Sequence, residues 1–276
     1  MRLAEDVRLA GDLSLNLLLA LCPNLTKVTT DLRRWYRFDL LQPAALPHLK
    51  DVFITASNSW DNINLGDLRG LYHAAPSIES FTSSLVGCEG NEPLPWANLR
   101  RLSLDMSSIS PACLSVVLTS CPQLESFNYF MAGCYSIVIT RMMRFLSHYA
   151  PQLKHLYLHI DWESDDEVEL DSDWDEVWYK DLPEPVPGFA SLSYLETLVL
   201  DGPELLDDWH DQRPVATLFP RSLRSLALIH VSSPPTIVGV GLGEFIRTSR
   251  SFLPNLTSLT VRDYFYGPST EHLKAS

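Results

Sequence analysis

One pattern recurs along the whole chain and limits what it can fold into: a leucine, two residues, an apolar residue, one residue, and another apolar residue. It is clearest at Leu99/Leu102/Leu104, Leu153/Leu156/Leu158, Leu195/Leu198/Leu200, Leu223/Leu226/Leu228 and Leu256/Leu259/Val261. Weaker copies begin at Leu25, Leu49, Ile78 and Leu124, which makes nine. Their first positions lie 24, 29, 21, 25, 29, 42, 28 and 33 residues apart. Proline stands two places ahead of the first position in six copies, as Pro23, Pro47, Pro76, Pro122, Pro151 and Pro254. A proline cannot continue a helix and biases its predecessor toward extended backbone, so it marks where a helix ends and a strand begins.

Apolar residues two apart point to one face of a short strand, and the residues between them point to the other. Helix-like stretches precede several of the prolines. Ser110 and Pro111 offer an N-cap followed by proline at the first helical position, with Cys113, Leu114, Val117 and Leu118 on one face. Thr140 is placed to cap a segment carrying Met142, Met143, Leu146 and Tyr149, and residues 67–74 and 243–252 suggest further helices. Each strand-plus-helix unit has an apolar side that it cannot bury alone, so neighbouring units must stack. The expected architecture is α/β, a leucine-rich-repeat solenoid with a parallel concave β-sheet and convex helices. It forms a single domain over residues 1–276, with about nine irregular repeats.

Two copies carry a Cys-Pro-x-Leu signature, Cys22-Pro23-Asn24-Leu25 and Cys121-Pro122-Gln123-Leu124. With the repeat spacing, this resembles the cysteine-containing leucine-rich repeats of F-box proteins. The uneven repeat lengths resemble the fungal members of that family, over about residues 13–263. The resemblance implies a substrate-recognition arm of the ubiquitin pathway. The F-box of that family opens with a Leu-Pro-x-Glu type motif ahead of the repeats. None is recognisable before Leu25, so the expectation is an F-box-less relative or a truncated product.

Composition enters where partners are concerned. Apolar residues make up 46% and charged residues 20%, enough apolar side chain to sustain a folded core. The formal net charge of −13 disfavours a nucleic-acid backbone as partner. Between Asp161 and Glu184 there are twelve Asp or Glu and one Lys, so this stretch carries −11 of the total and the rest only −2. The 42-residue step from Leu153 to Leu195 holds this run, so residues 161–187 are expected to form an acidic loop insertion. Trp162, Trp174 and Trp178 are interleaved with its charges. The loop is either a solvated, self-repelling element or an electrostatic dock for a basic partner with the tryptophans as anchors. Five cysteines, an odd number without a CxxC pair, suggest buried reduced thiols in the cytoplasm or nucleus. No run of about 18 apolar residues suggests a membrane span.

Catalytic and metal constellations find no support, and neither a cofactor nor a metal is expected. Asp171, Asp173 and Asp175 begin like a calcium loop, but Glu176 replaces the glycine and Leu182 the bidentate glutamate that such a loop needs. His155 and His159 on one strand stand about 13 Å apart at about 3.3 Å per residue, too far to share a metal ion. The glycines at 239, 241 and 243 lack both the third glycine of a dinucleotide loop, where Glu244 stands, and a preceding strand.

The exposed positions of successive strands should line up in rows across the sheet. The larger side chains cluster in the fourth to sixth copies. These are Arg101 and Asp105, then Asn128 and Phe130, then His155, Tyr157 and His159. With Trp162, Trp174 and Trp178 they form the expected partner-binding surface of a non-catalytic interaction module. The alternative is an acidic, chaperone-like or regulatory protein that binds basic partners through residues 161–184.

Overall fold

The computed structural model describes residues 14–32, 36–56, 63–87, 92–107, 109–131, 139–160, 188–201, 215–229, 247 and 249–262. All nine motif copies form strands: β1 (Lys27–Leu32), β2 (Asp51–Ala56), β3 (Ser80–Ser84), β4 (Arg101–Ser107), β5 (Ser126–Met131), β6 (His155–Ile160), β7 (Thr197–Asp201), β8 (Ser225–Ile229) and β9 (Ser258–Arg262). They build one nine-stranded sheet in sequential order, and every neighbouring pair is parallel. A chain that returns to the same edge after each strand, always in the same direction, adds one strand per repeat and never reverses.

What fixes the register is a backbone device repeated at every junction. The residue after the motif's first position and its successor both donate to one carbonyl of the preceding repeat. Glu79 and Ser80 donate to Lys50 O at 2.9 and 3.0 Å, Lys154 and His155 to Glu125 O at 2.8 and 3.0 Å, and Thr257 and Ser258 to Arg224 O at 2.8 and 3.0 Å. A slip by one residue would turn each strand's leucines to the open face. The observed register keeps Leu102, Phe127, Leu156, Leu198 and Leu226 aligned and buried.

The prolines turn out to have a more specific task than ending a helix. Ahead of every strand the motif's first residue donates its N–H three residues back, as in Leu124 to Cys121 O at 3.1 Å and Leu153 to Ala150 O at 3.1 Å. Proline, with φ fixed near −65°, occupies the second place of this four-residue turn, where that angle is required. The third place holds Asn24, Asn98 or Asn255 in three copies. Asn98 Nδ2 reaches Pro76 O at 2.9 Å and Asn255 Nδ2 reaches Arg221 O at 2.9 Å, tying each turn to the one before it.

Helical segments return the chain between strands. Those of 10 and 11 residues are α2 (Pro111–Ser120) and α3 (Ile139–Tyr149), and a shorter one is α1 (Arg69–Ala74) behind the 3-10 turn Leu65–Leu68. Helix α2 begins as expected: Ser110 Oγ accepts from Cys113 N at 3.3 Å and Pro111 takes the first helical position. Helix α3 starts at Ile139, so Thr140 lies inside it and is not its cap. Further along, Gly188–Ser191 and Val215–Leu218 are 3-10 turns of four residues each. Helical and strand residues share one continuous core, in which Tyr72, Phe81 and Trp96 form an aromatic cluster with centroids 5.0–5.8 Å apart. Gly70 is needed for that packing, because a Cβ there would stand 2.2 Å from Phe38 O.

The thiols follow expectation only in part. Cys121 is a buried free thiol, as the turn position it occupies dictates, and burial pushes its pKa far up, which makes it a poor nucleophile. Cys22 holds the same turn position ahead of β1, the first strand of the sheet. It is exposed, and among the described residues no turn of a preceding strand packs over it. Cys113 is disulfide-bonded, a pairing chosen by the fold that sequence spacing could not show. Among the described residues no helix is long and apolar enough to cross a membrane.

Candidate functional site

Strand alternation leaves one sheet face open. In β2, β3 and β7 the even positions are buried while the odd ones are exposed or half-buried. The first row across this face reads Lys27, Asp51, Ser80, Arg101, Ser126, His155, Thr197, Ser225 and Ser258, in the register read from the sequence. The second row runs from Thr29 through Phe53, Thr82, Ser103, Asn128 and Tyr157 to Val199.

Three of the expected site residues meet around one groove. Arg101, Asn128 and Tyr157 line a cavity of about 260 Å³ spanning β3 to β6, whose floor is Ser80, Thr82, Ser103 and Ser126. Tyr157 is 41% exposed and forms one wall. Asn128 Nδ2 donates to Ser103 Oγ at 3.0 Å, so the floor is internally ordered. Arg101 reaches across Ser80 to Asp51, Nη2 to Oδ1 at 3.3 Å, and both partners are solvent-exposed.

The third row departs from the sequence reading at one point. Leu104 pairs with Tyr129, but the next pair is Ser107 with Met131, so β4 carries a bulge at Asp105 and Met106. Met106 has φ 44°, a left-handed backbone rare for a residue with a Cβ. Asp105 is therefore exposed but not aligned with Phe130, and it stands apart from the groove. Ser107 anchors the bulge by donating to Asp105 O at 2.8 Å and accepting from Val86 N at 3.1 Å.

Phe130 and His159 form a second cluster. Their rings meet edge to face with centroids 3.9 Å apart, and His159 Nδ1 is hydrogen-bonded to the Asp201 carboxylate. An ionised carboxylate only accepts, so Nδ1 carries the proton. This pair holds the imidazole in one orientation. His155 is half-buried beside Ser126 in the first row and does not line the groove. Trp162, Trp174, Trp178 and the whole 161–187 insertion lie outside the described residues. Asp201, Asp51 and the exposed Phe53 were absent from the expected site. Each was visible in the rows as a neighbour, two strands away at most, of a chosen residue or in line with one, and cross-strand pairing was the signal that could have found them.

Another row lies outside the expected site. The residue after the motif's first position reads Lys50, Glu79, Arg100, Glu125, Lys154, Glu196 and Arg224, alternating in sign across seven consecutive strands. Lys50–Glu79 at 2.7 Å, Arg100–Glu125 at 3.1 Å, Lys154–Glu125 at 3.3 Å and Arg224–Glu196 at 4.0 Å are paired. The Lys50 hydrogen bond and charge hold the Glu79 carboxyl below its usual range. This edge neutralises itself and offers a partner little net field.

The fold and groove thus define an α/β protein with a nine-stranded parallel sheet, one face of which carries an ordered polar groove. No family model matches the sequence, and a search of curated proteins finds no match either.

Proposed function

We propose that the chain is a leucine-rich-repeat solenoid, its sheet facing inward, that works as a non-catalytic protein–protein interaction module. The observation that carries this reading is the convergence of Arg101, Asn128 and Tyr157, from three separate repeats, on one groove of an otherwise small-and-polar open face. Arginine and tyrosine are the side chains that dominate interface energetics, and here they flank a recess that can seat a partner's side chain. The Cys-Pro-x-Leu turns supply the affiliation, a recognition arm of the F-box-related kind whose client lies across β3 to β6.

The test is chemical cross-linking in cell extract with wild type, Tyr157→Ala, Arg101→Ala and the control Arg224→Ala. Both groove residues are exposed, so circular dichroism should be unchanged in all four. The expected outcome is a set of cross-linked proteins that both groove variants lose and the control retains. Retention of the same set by all four variants would remove this face from the function. The acidic reading makes a different demand: partners held by residues 161–184 should be stripped as salt shortens the Debye length from about 8 Å at 0.15 M to about 3 Å at 1 M.

A further inference from the structure

We propose that the groove between Arg101 and Tyr157 receives one acidic side chain, Asp or Glu, from an extended peptide segment of the partner. The inference rests on reading this face as a partner surface and adds the chemistry of what enters it.

Charge complementarity is the argument. Among the described residues Arg101 is the one charged residue lining the groove; its ion-pair partner Asp51 stands outside the lining. The rest of the described polar lining is hydroxyl or amide, so the guanidinium is the one charge that the described lining presents to a ligand in the recess. Asn128 Nδ2 already occupies the Ser103 oxygen at 3.0 Å, which leaves the Ser103 hydroxyl hydrogen as a donor. Arg101 and Tyr157 sit two strands apart and two residues offset along them, roughly 12 Å between backbones at about 4.8 Å per strand and about 3.3 Å per residue, a gap wide enough for one side chain between guanidinium and ring.

Alternatives fit less well. A partner lysine or arginine would face Arg101 without a carboxylate in the described lining to receive it. A large apolar side chain would cover the hydroxyls without bonding them, which is costly. At about 260 Å³ the recess falls below the roughly 300–1,000 Å³ of small-molecule and cofactor pockets. The present partner of Arg101, Asp51, makes a single contact at 3.3 Å in open solvent, a pairing worth little in water. An incoming carboxylate can replace it with a two-pronged bond to the guanidinium. The acidic run at 161–184 opposes any acidic ligand at long range, so the measurement belongs at about 0.15 M salt, where that repulsion is screened beyond about 8 Å.

The experiment pans a phage-displayed library of unconstrained random peptides on the full chain, in parallel on Arg101→Gln, Arg101→Lys and Tyr157→Ala. The best clone is then synthesised, together with its Glu→Gln or Asp→Asn counterpart, and titrated by fluorescence anisotropy. Wild type should enrich an acidic residue at one fixed position. Neutralising that residue should weaken binding by about tenfold to a hundredfold, the scale of a charged hydrogen bond. Arg101→Gln should abolish the preference and Arg101→Lys should keep part of it. The proposal is overturned if peptides that need Tyr157 show no acidic preference, or if the preference survives in Arg101→Gln; either result leaves the partner-surface reading standing. Enrichment of no peptide, or of peptides indifferent to Tyr157→Ala and Arg101→Gln alike, removes both.

Discussion

Strands β4 to β6 and strands β7 to β9 carry the same motif, yet they are backed by different material. Behind β4 to β6 stand α2 and α3, which bury Cys113, Leu114, Val117, Leu118, Met142, Met143, Phe145 and Leu146 against the sheet's core face. Behind β7 and β8 the described residues make four-residue 3-10 turns, and Phe189, Leu218 and Phe219 are among those buried there. The last apolar position of the motif loosens only toward the end of the sheet. Leu104, Tyr129, Leu158 and, on β7, Leu200 are buried, Leu228 is half-buried, and Val261 is 36% exposed. Among the described residues strand β9 pairs on one side only, and its Leu259 is 38% exposed where every counterpart from β1 to β8 is buried. The other edge strand, β1, keeps Val28 and Leu32 buried, so an edge position alone does not expose the motif. The groove spans β3 to β6, where the residues beneath the open face are buried in the core.

The largest expected effect is on stability and contrasts equivalent leucines. Leu156→Ala deletes a fully buried side chain between two neighbouring strands, and the loss should be about 2–5 kcal/mol, transfer and cavity terms together. Leu259→Ala removes the same atoms from a half-open site and should cost less than about 1 kcal/mol. Urea unfolding followed by circular dichroism gives both. Equal losses would break the comparison, because they would mean that Leu259 is covered in solution as thoroughly as Leu156.

Much of the fold was legible because its signal is periodic. The spacing of Leu153, Leu156 and Leu158 and its eight counterparts located every strand of the nine-stranded sheet but not the short pair Ile63–Asn64 and Val86–Gly87, and two-residue alternation gave the first two open rows in their true register. The pairing of Ser110 with Pro111 located the start of α2, since cap and first-turn preferences act over a few residues. What was not legible depends on contacts across repeats of unequal length. The bulge at Met106 shifts Asp105 out of line through one residue's backbone angle, which the motif does not encode. Phe145, fully buried on α3, was passed over because the segment's apolar face was read from its methionines and Leu146. Of the expected site, Arg101, Asn128 and Tyr157 converge, whereas Phe130 and His159 turn to each other and to Asp201. Rows tell which residues are neighbours, and only side-chain geometry tells which of them share a recess.

A middle-sized effect sharpens the contrast between helix-backed and turn-backed strands. Ser110→Ala removes the hydroxyl that accepts from Cys113 N and should destabilise the chain by about 1 kcal/mol, with Ser110→Asp restoring most of it. Because α2 supplies part of the support for β4 and β5, hydrogen exchange should quicken in residues 101–131 and stay unchanged in 215–229. Uniform quickening across all nine strands would show that the sheet opens as one unit and that the two regions differ in packing but not in local stability.

The smallest expected effect concerns the alternating charges, which cross both regions and so should ignore the difference between them. Glu125 faces Arg100 at 3.1 Å and Lys154 at 3.3 Å on the helix-backed side, and Glu196 faces Arg224 at 4.0 Å on the other. All are partly exposed, so Glu125→Gln and Glu196→Gln should each cost at most about 1 kcal/mol, falling toward zero in 1 M salt. The pH dependence follows from Glu79, which Lys50 holds below the ordinary carboxyl value of 4.5. A carboxyl with a depressed folded-state pKa stabilises the protein fully above its unfolded value and loses that contribution as pH falls through the folded one. Wild type should therefore lose this increment between roughly the ordinary carboxyl range and the lower folded value, and Lys50→Met should flatten that part of the profile. If instead Glu125→Gln proved several times costlier than Glu196→Gln at every salt concentration, the ladder would be reinforcing the helix-backed strands selectively. Electrostatics would then belong with packing as a cause of the difference between the two regions.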